Sequence, residues 1–297
     1  MATSLEAPRD ANGVRQSFSG ISGKALVYIL LLILTVVSLA PFIFSLLSSF
    51  KTPDKVLEYP PSFIPHPWTW NNYKDIFNQG SNAPFGRWLV NSFIYGFCVC
   101  ALNVFFSSMA AFALARLEFV GRNFWTVVTL AVMMVPAEIN WISVYIILNH
   151  FGPFNLIDTY FAVILPAAAQ PFSVFLISQF FKGLPKEVEE AAVVDGASRF
   201  RIYWQVVLPM ARPALVAAAI LSFQGAWNSF AAPLLYLNSV EKFPLTVGLT
   251  FFNGEYSSQP NLILAGAMFN TIPMVIIFFV FQRYFIQGAA TSGLGGR

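Results

Sequence analysis

Apolar positions in this chain come in long uncharged runs separated by short polar stretches. Such runs cover 25–50, 88–115, 159–181, 213–240 and 256–282. A sixth, 123–149, carries one acidic residue, Glu138. A membrane-spanning helix needs about 20 mostly apolar residues, so each run is long enough to cross a bilayer. The pattern predicts an all-α integral membrane protein with six transmembrane helices. The runs exceed the minimum length, so tilt and interfacial residues are expected.

The longest polar interruption of the second half lies between two of these runs, at 182–213. Pro185 suits the first turn of a helix, where a missing N–H costs nothing. Glu187, Glu189 and Glu190 crowd that turn, where the macrodipole favours negative charge. Val188, Ala191, Ala192 and Asp195 recur at i, i+3, i+4 and i+7, giving one face of mostly small side chains. Gly196 ends the helix, and Ser198 caps a second one. In the second helix Phe200, Tyr203, Trp204 and Val207 form an aromatic stripe, with Arg199 and Arg201 beside it. Two readings stand: a plain connecting loop, or a rigid docking element that a partner grips through its small face.

Composition agrees with a membrane protein. Of 297 residues, 57% are hydrophobic and 10% charged, and the mean hydropathy is +0.64. Soluble domains carry about 25% charged residues. The net charge of +3 is too small to suggest a nucleic-acid partner. Its placement is informative. With the N-terminus inside, twelve of the 17 basic residues fall in inner segments and five, Lys51, Lys55, Lys74, Arg87 and Lys242, in outer ones. The positive-inside rule then predicts cytoplasmic termini and a cytoplasmic 182–213 stretch. Residues 1–24 read as a flexible cytoplasmic tail, 25–288 as the six-helix membrane domain, and 289–297 as a second cytoplasmic tail. Cys98 and Cys100 share one apolar run and read as packing residues, not metal ligands.

Few residues offer chemistry. Gly20 to Lys24 lacks the spacing of a phosphate-binding loop and precedes a span, so no ATP site of that kind is expected here. His66 and His150 map to outer ends or loops, away from any intramembrane catalytic constellation. Glu138 is the ionisable residue within a span, with Pro136 two residues before it. It is a functional candidate, or else a hydrated carboxylate near the outer end. Trp227, Asn228 and Asn270 either line a hydrophilic path or bond neighbouring helices, with packing favoured for the asparagines. The segment from Lys51 to Arg87, rich in Pro, Trp and Tyr, reads as a stiff outer lid.

Glu190-Ala191-Ala192, Asp195-Gly196-Ala197, Leu208-Pro209 and Pro213 resemble the EAA loop of permease subunits of binding-protein-dependent ATP-binding cassette (ABC) importers. Lys51-Thr52-Pro53, Tyr59-Pro60-Pro61, Trp227-Asn228, Pro233-Leu234-Leu235, Phe243-Pro244-Leu245, Val247-Gly248-Leu249 and Gln282-Arg283-Tyr284-Phe285 are similar to the carbohydrate branch of that family, of the maltose MalG type. The resemblance covers roughly 41–288. It implies a type I importer permease fold in a bacterial or archaeal cytoplasmic membrane, paired with a second permease in a heterodimer. It also implies two ATPase subunits that carry ATP and Mg, an extracytoplasmic sugar-binding protein and a sugar substrate. This chain would bind no cofactor and catalyse no reaction. Glu190, Ala191, Ala192, Asp195 and Gly196 would dock the ATPase. Lys242, Phe252, Asn253 and Gly254 would touch the binding protein. Glu138, Trp227, Asn228 and Asn270 are the substrate-path candidates. The reading from another class is an ion-coupled secondary transporter with Glu138 as relay. The absence of a visible internal repeat argues against it.

Overall fold

A computed structural model describes residues 21–253 and 258–294, with side chains described over 24–253 and 258–282. Among the described residues the elements are helical, and β-pairing is confined to two isolated bridges, Phe151 with Phe154 and Asn253 with Ser258. The principal helices are α1 (Ile21–Ser48), α2 (Phe85–Arg116), α3 (Arg122–Met133), α4 (Trp141–Asn149), α5 (Pro171–Lys182), α6 (Glu187–Val194), α7 (Arg212–Trp227) and α8 (Pro260–Leu294).

Four stretches are long and apolar enough to cross a membrane: 24–48, 80–116, 160–182 and 260–282. The other two expected spans are broken. The run at 123–149 bends by 97° between α3 and α4. Pro136 sits at that break, ahead of a 3₁₀ turn over Ala137–Asn140. Proline has no N–H for a helical ladder and disfavours helix in the residue before it. The expected span at 213–240 is shorter than its apolar run. Its helix α7 ends at Trp227, and a separate turn, Ala231–Tyr236, follows a break. Sixteen residues rise about 24 Å, less than the bilayer core of about 30 Å. The helical backbone starts at Ile21 and runs to Leu294, so it overlaps both expected tails, 1–24 and 289–297; residues 1–20 and 295–297 lie outside the described part.

α2 is the central post, packed along its length against α5 and α7. Near its middle, fully buried Asn103 binds both neighbours. Its Nδ2 donates to Ser173 Oγ and Ser222 Oγ, each at 2.9 Å. Its Oδ1 accepts from Ser107 Oγ at 2.7 Å and from the backbone N–H of Gln170 at 3.0 Å. Both donors and both lone pairs of the amide are therefore used, the condition for burying it without penalty. The Gln170 amide is free because the 160–182 span is itself interrupted: a helix over Tyr160–Ile164, a 3₁₀ turn over Leu165–Ala167, then α5.

Two apolar cores flank this polar node. One gathers Phe85, Trp88, Tyr95, Leu237, Leu245 and Phe252 at the N-terminal end of α2. The other gathers Phe112, Ile177, Phe181, Ile202, Tyr203 and Val207 at its C-terminal end. Trp88 and Arg116 are separated by about 42 Å of helix, so the two cores mark opposite ends of the molecule. In the first core Gly248 lies flat on Trp88; a Cβ there would fall 2.2 Å from the indole ring. The proline-rich segment closes the same end. Phe50 packs on Trp68, Trp70 and Tyr73. Buried Asn72 donates to the carbonyls of Ser49 and Lys51, and accepts from Asn261 of α8 at 2.8 Å. Lys51 is itself buried and donates to the Ser62 carbonyl, so this segment is a folded cap anchored on α1 and α8.

Candidate functional site

The predicted helix–glycine–helix forms. α6 ends in a Schellman arrangement: Gly196 N–H donates to the Val193 carbonyl at 3.0 Å, and Ala197 N–H to the Ala192 carbonyl at 2.9 Å. Gly196 has φ +78°, the left-handed region that glycine adopts at low cost. Ser198 Oγ accepts from Arg201 N–H at 3.3 Å and caps the second helix, Arg199–Ile202. That helix then widens into a π-turn over Tyr203–Val207. Pro209 cannot donate to the carbonyl four residues back, and a wide turn accommodates the loss. The aromatic stripe consequently splits. Tyr203 and Val207 point into the core, with the Tyr203 hydroxyl 2.8 Å from Ser108 Oγ, whereas Phe200 and Trp204 are exposed.

The acidic first turn also splits. Glu189 is buried, with its Oε1 2.8 Å from Arg116 Nε at the end of α2. The N–H is not aligned on that oxygen, so this is a charge contact more than a directed hydrogen bond. Arg116 Nη2 completes the anchor by donating to the Leu184 carbonyl at 2.8 Å. Ala192 is half-buried against the second core. Glu190, Ala191, Asp195 and Gly196 remain exposed, and so do Val188, Val193 and Val194, the last at 87%. Glu190 borders an 860 Å³ depression with Arg116, Glu118, Arg122, Lys186 and Arg199. One side of α6 is thus riveted to α2, and the other offers a carboxylate, small residues and valines.

At the opposite end the residues expected to meet a binding protein have a different setting. The segment from Val240 to Phe252 does not project as a loop; it folds across α2. Trp88 Nε1 donates to the Val240 carbonyl at 2.8 Å, and Tyr95 Oη to that of Lys242 at 2.8 Å. Asn91 Nδ2 reaches the carbonyls of Glu241 and Phe243, and Ser92 Oγ accepts from Leu245 N–H. Trp88, Asn91, Ser92 and Tyr95 stand at i, i+3, i+4 and i+7. This polar stripe on an apolar helix was visible in the sequence and marks a backbone-gripping face. Phe252 is therefore a core residue, 4% exposed. Lys242 donates from Nζ to Asp158 Oδ2 at 3.0 Å and to the Asp158 carbonyl. Asn253 stays exposed, and Gly254 lies outside the described residues.

Asp158 deserves a place that sequence reading missed. It has φ +58° and accepts from the N–H groups of Asn238 and Ser239, each at 2.9 Å, and from Ser239 Oγ. Burial disfavours its charge, yet the Ser239 hydroxyl, the two amides and Lys242 outweigh it and hold the carboxyl far below the usual carboxylate range.

The substrate-path candidates separate too. Trp227 is fully buried, stacked at 5.6 Å on Phe223, with Nε1 donating to the Asn270 carbonyl at 2.9 Å. It is a packing residue. Asn270 Nδ2 lies 3.5 Å from Asn228 Oδ1, which joins α8 to the end of α7. Asn228 is exposed, as is Gln224 one turn before it. Glu138 is exposed in the 3₁₀ turn of the 97° bend, not within a straight helix.

Comparison with known proteins places the chain. Residues 103–290 match the family described as binding-protein-dependent transport system inner membrane component. The arabinooligosaccharides transport system permease protein AraQ of Halalkalibacterium halodurans is 34% identical, covering 88% of this chain and 92% of the relative. The diacetylchitobiose uptake system permease protein NgcG of Streptomyces coelicolor is 34% identical, over 91% and 88%. The sn-glycerol-3-phosphate transport system permease protein UgpE of Yersinia pestis is 29% identical, over 89% and 95%. A crystallised bacterial ABC transporter involved in the import of the acidic polysaccharide alginate contains a chain of the same fold, with TM-score 0.79, 24% identity, and 91% and 100% coverage. The chain belongs to the binding-protein-dependent transport system inner membrane components, the permeases of ABC importers, and is a transport subunit rather than an enzyme.

Proposed function

We propose that this chain is one half of a permease heterodimer that imports saccharides, with 182–213 as the element that receives force from an ATPase subunit. The carrying observation is the two-sidedness of α6. Glu189 and Arg116 hold it to α2, while Glu190, Ala191 and Gly196 stay free. A docking element must be rigid toward its own body and open toward its partner. Glu190 would pair with an ATPase arginine, Ala191 and Ala192 would permit close approach, and Asp195 and Gly196 would set the elbow. ATP and Mg would reside on two partner ATPases. Their closure would pull the elbow, and through Arg116 the central post, opening the pair outward to accept sugar from an extracytoplasmic binding protein. On that side Asn253 and Gly254 are the contacts still proposed, Lys242 being tied to Asp158. The basic-residue bias supports a cytoplasmic elbow and cytoplasmic termini in a bacterial or archaeal inner membrane. The proposed domain limits are a cytoplasmic tail over 1–24, the membrane domain over 25–288 with its coupling element at 182–213, and a cytoplasmic tail over 289–297.

Saccharide is the substrate class because relatives at 34% identity are named for arabinooligosaccharide and diacetylchitobiose uptake. The test reconstitutes the complex with its binding protein in proteoliposomes. A panel of pentose, hexose and N-acetylhexosamine oligosaccharides is supplied, with sn-glycerol 3-phosphate as the non-saccharide control. ATP-dependent uptake of a panel oligosaccharide is expected, and uptake of none sinks the saccharide assignment. An ionophore should leave uptake unchanged; its abolition would favour the ion-coupled reading through Glu138.

A further inference from the structure

Two interrupted spans meet at one place. The 97° bend between α3 and α4 and the break ahead of α5 both border a 620 Å³ cavity. Irregular backbone at membrane depth is tolerated where it is buried in protein or lines a hydrated cavity, and such breaks commonly frame transport sites. Asn140, Trp141 and Gln170 lie on its wall. No other described side chain hydrogen-bonds to the side-chain amides of Asn140 and Gln170 or to the Trp141 indole N–H. Asn140 is exposed and Trp141 and Gln170 are half-buried, so their polar groups are open to a ligand entering the cavity. Gln170 sits ten residues past Tyr160 and twelve before Lys182, near the midpoint of its span. The wall is also held in place. The hydroxyl of Tyr236, a buried residue, donates to the Trp141 carbonyl at 3.2 Å, and the Gln170 backbone is fixed by Asn103.

We infer that this cavity is a saccharide subsite within this subunit, with Trp141 as the stacking face and the Asn140 and Gln170 amides as hydroxyl-binding groups. The chemistry fits an uncharged sugar. An aromatic face covers the C–H side of a pyranose or furanose ring, and amides both donate to and accept from hydroxyls. No Lys or Arg borders the cavity, which disfavours a phosphate or carboxylate ligand. Its volume falls in the ordinary range for small-molecule sites of about 300–1,000 Å³. The subsite rests on the saccharide-import reading and places part of the selectivity on this chain.

The test uses the intact complex in nanodiscs without binding protein, so that delivery does not mask the site. Ala232 on the cavity wall is replaced by cysteine in a Cys98→Ala, Cys100→Ala background, and its alkylation by a small methanethiosulfonate is timed. The probe is the panel oligosaccharide that the unmodified complex imports fastest. Saturating probe should slow alkylation at least about threefold, the slowing expected once two thirds of sites are filled. Adding Trp141→Ala or Gln170→Ala should remove the protection, while Trp141→Phe keeps it; sn-glycerol 3-phosphate should protect none. Retained assembly and ATPase activity verify folding, and Ala167→Cys replaces Ala232→Cys if that variant fails to assemble. Import by the unmodified complex with no protection, or with equal protection in Trp141→Ala and Gln170→Ala, overturns the subsite alone. Import of no panel saccharide overturns the transport reading and the subsite with it.

Discussion

Arg116 and Glu189 are 73 residues apart in the chain and 2.8 Å apart in space, each side chain nearly sealed from solvent. Their contact joins the central helix α2 to the polar elbow. Removing one member of a buried pair strands the other, at a cost of about 3–5 kcal/mol. Glu189→Ala should therefore lower the thermal midpoint of the purified complex and loosen the elbow to protease. Glu190→Ala, one residue away but exposed, should leave the midpoint unchanged. Equal midpoints for both variants would show that the pair does not anchor the elbow.

Glu190→Lys should insert and assemble at near wild-type level but lose most binding-protein-stimulated ATPase activity and uptake. The reversed charge sits at an exposed position, away from this chain's core. Full stimulated activity in the purified variant would remove Glu190 from the coupling contact.

Gly196→Pro should uncouple transport without preventing insertion. Proline fixes φ near −65°, whereas Gly196 stands at +78° and donates its N–H to Val193. Gly196→Asn, which tolerates the left-handed region, should retain much of the activity. Comparable uptake by the proline and asparagine variants would contradict the elbow geometry.

The clamp of Asp158 on 238–242 should depend on acid in one direction. The folded carboxyl titrates below its ordinary value of 3.8. The stabilisation is therefore complete above that value and fades as pH falls through the lower folded value. Proteolysis of 237–243 in the wild type should stay constant from neutrality to about pH 5. Asp158→Asn should be cut faster throughout that range, and a variant cut no faster at pH 7 would discount the clamp.

Gly248→Ala should destabilise the end that carries Trp88. A methyl group 2.2 Å from the indole must displace it or shift the 245–252 turn, and overpacking of this kind costs about 1–3 kcal/mol. A thermal midpoint equal to wild type would mean that the tryptophan has room to move.

Several features of the elbow are local in the chain. The helix ending at Gly196 and the cap at Ser198 depend on neighbours in sequence, and both formed. The outer loop reading failed at Phe252, a core residue whose partner Trp88 is far away in the chain, and it missed that Lys242 pairs with Asp158, over 80 residues away. The path reading of Trp227 failed similarly: an indole among apolar residues says nothing of whether its N–H meets a sugar or, as here, the Asn270 carbonyl.

The sequence by itself determined what solvent and backbone chemistry dictate locally: apolar runs that must leave water, a polar elbow that must stay in it, the glycine that ends its first helix, and the importer family. Tertiary structure decided which of two adjacent glutamates is anchored and which is free, because that depends on the angle at which α6 meets α2. It also decided that the breaks at Pro136 and ahead of Pro171 share one cavity. Their juxtaposition arises from packing between helices, which no local pattern encodes.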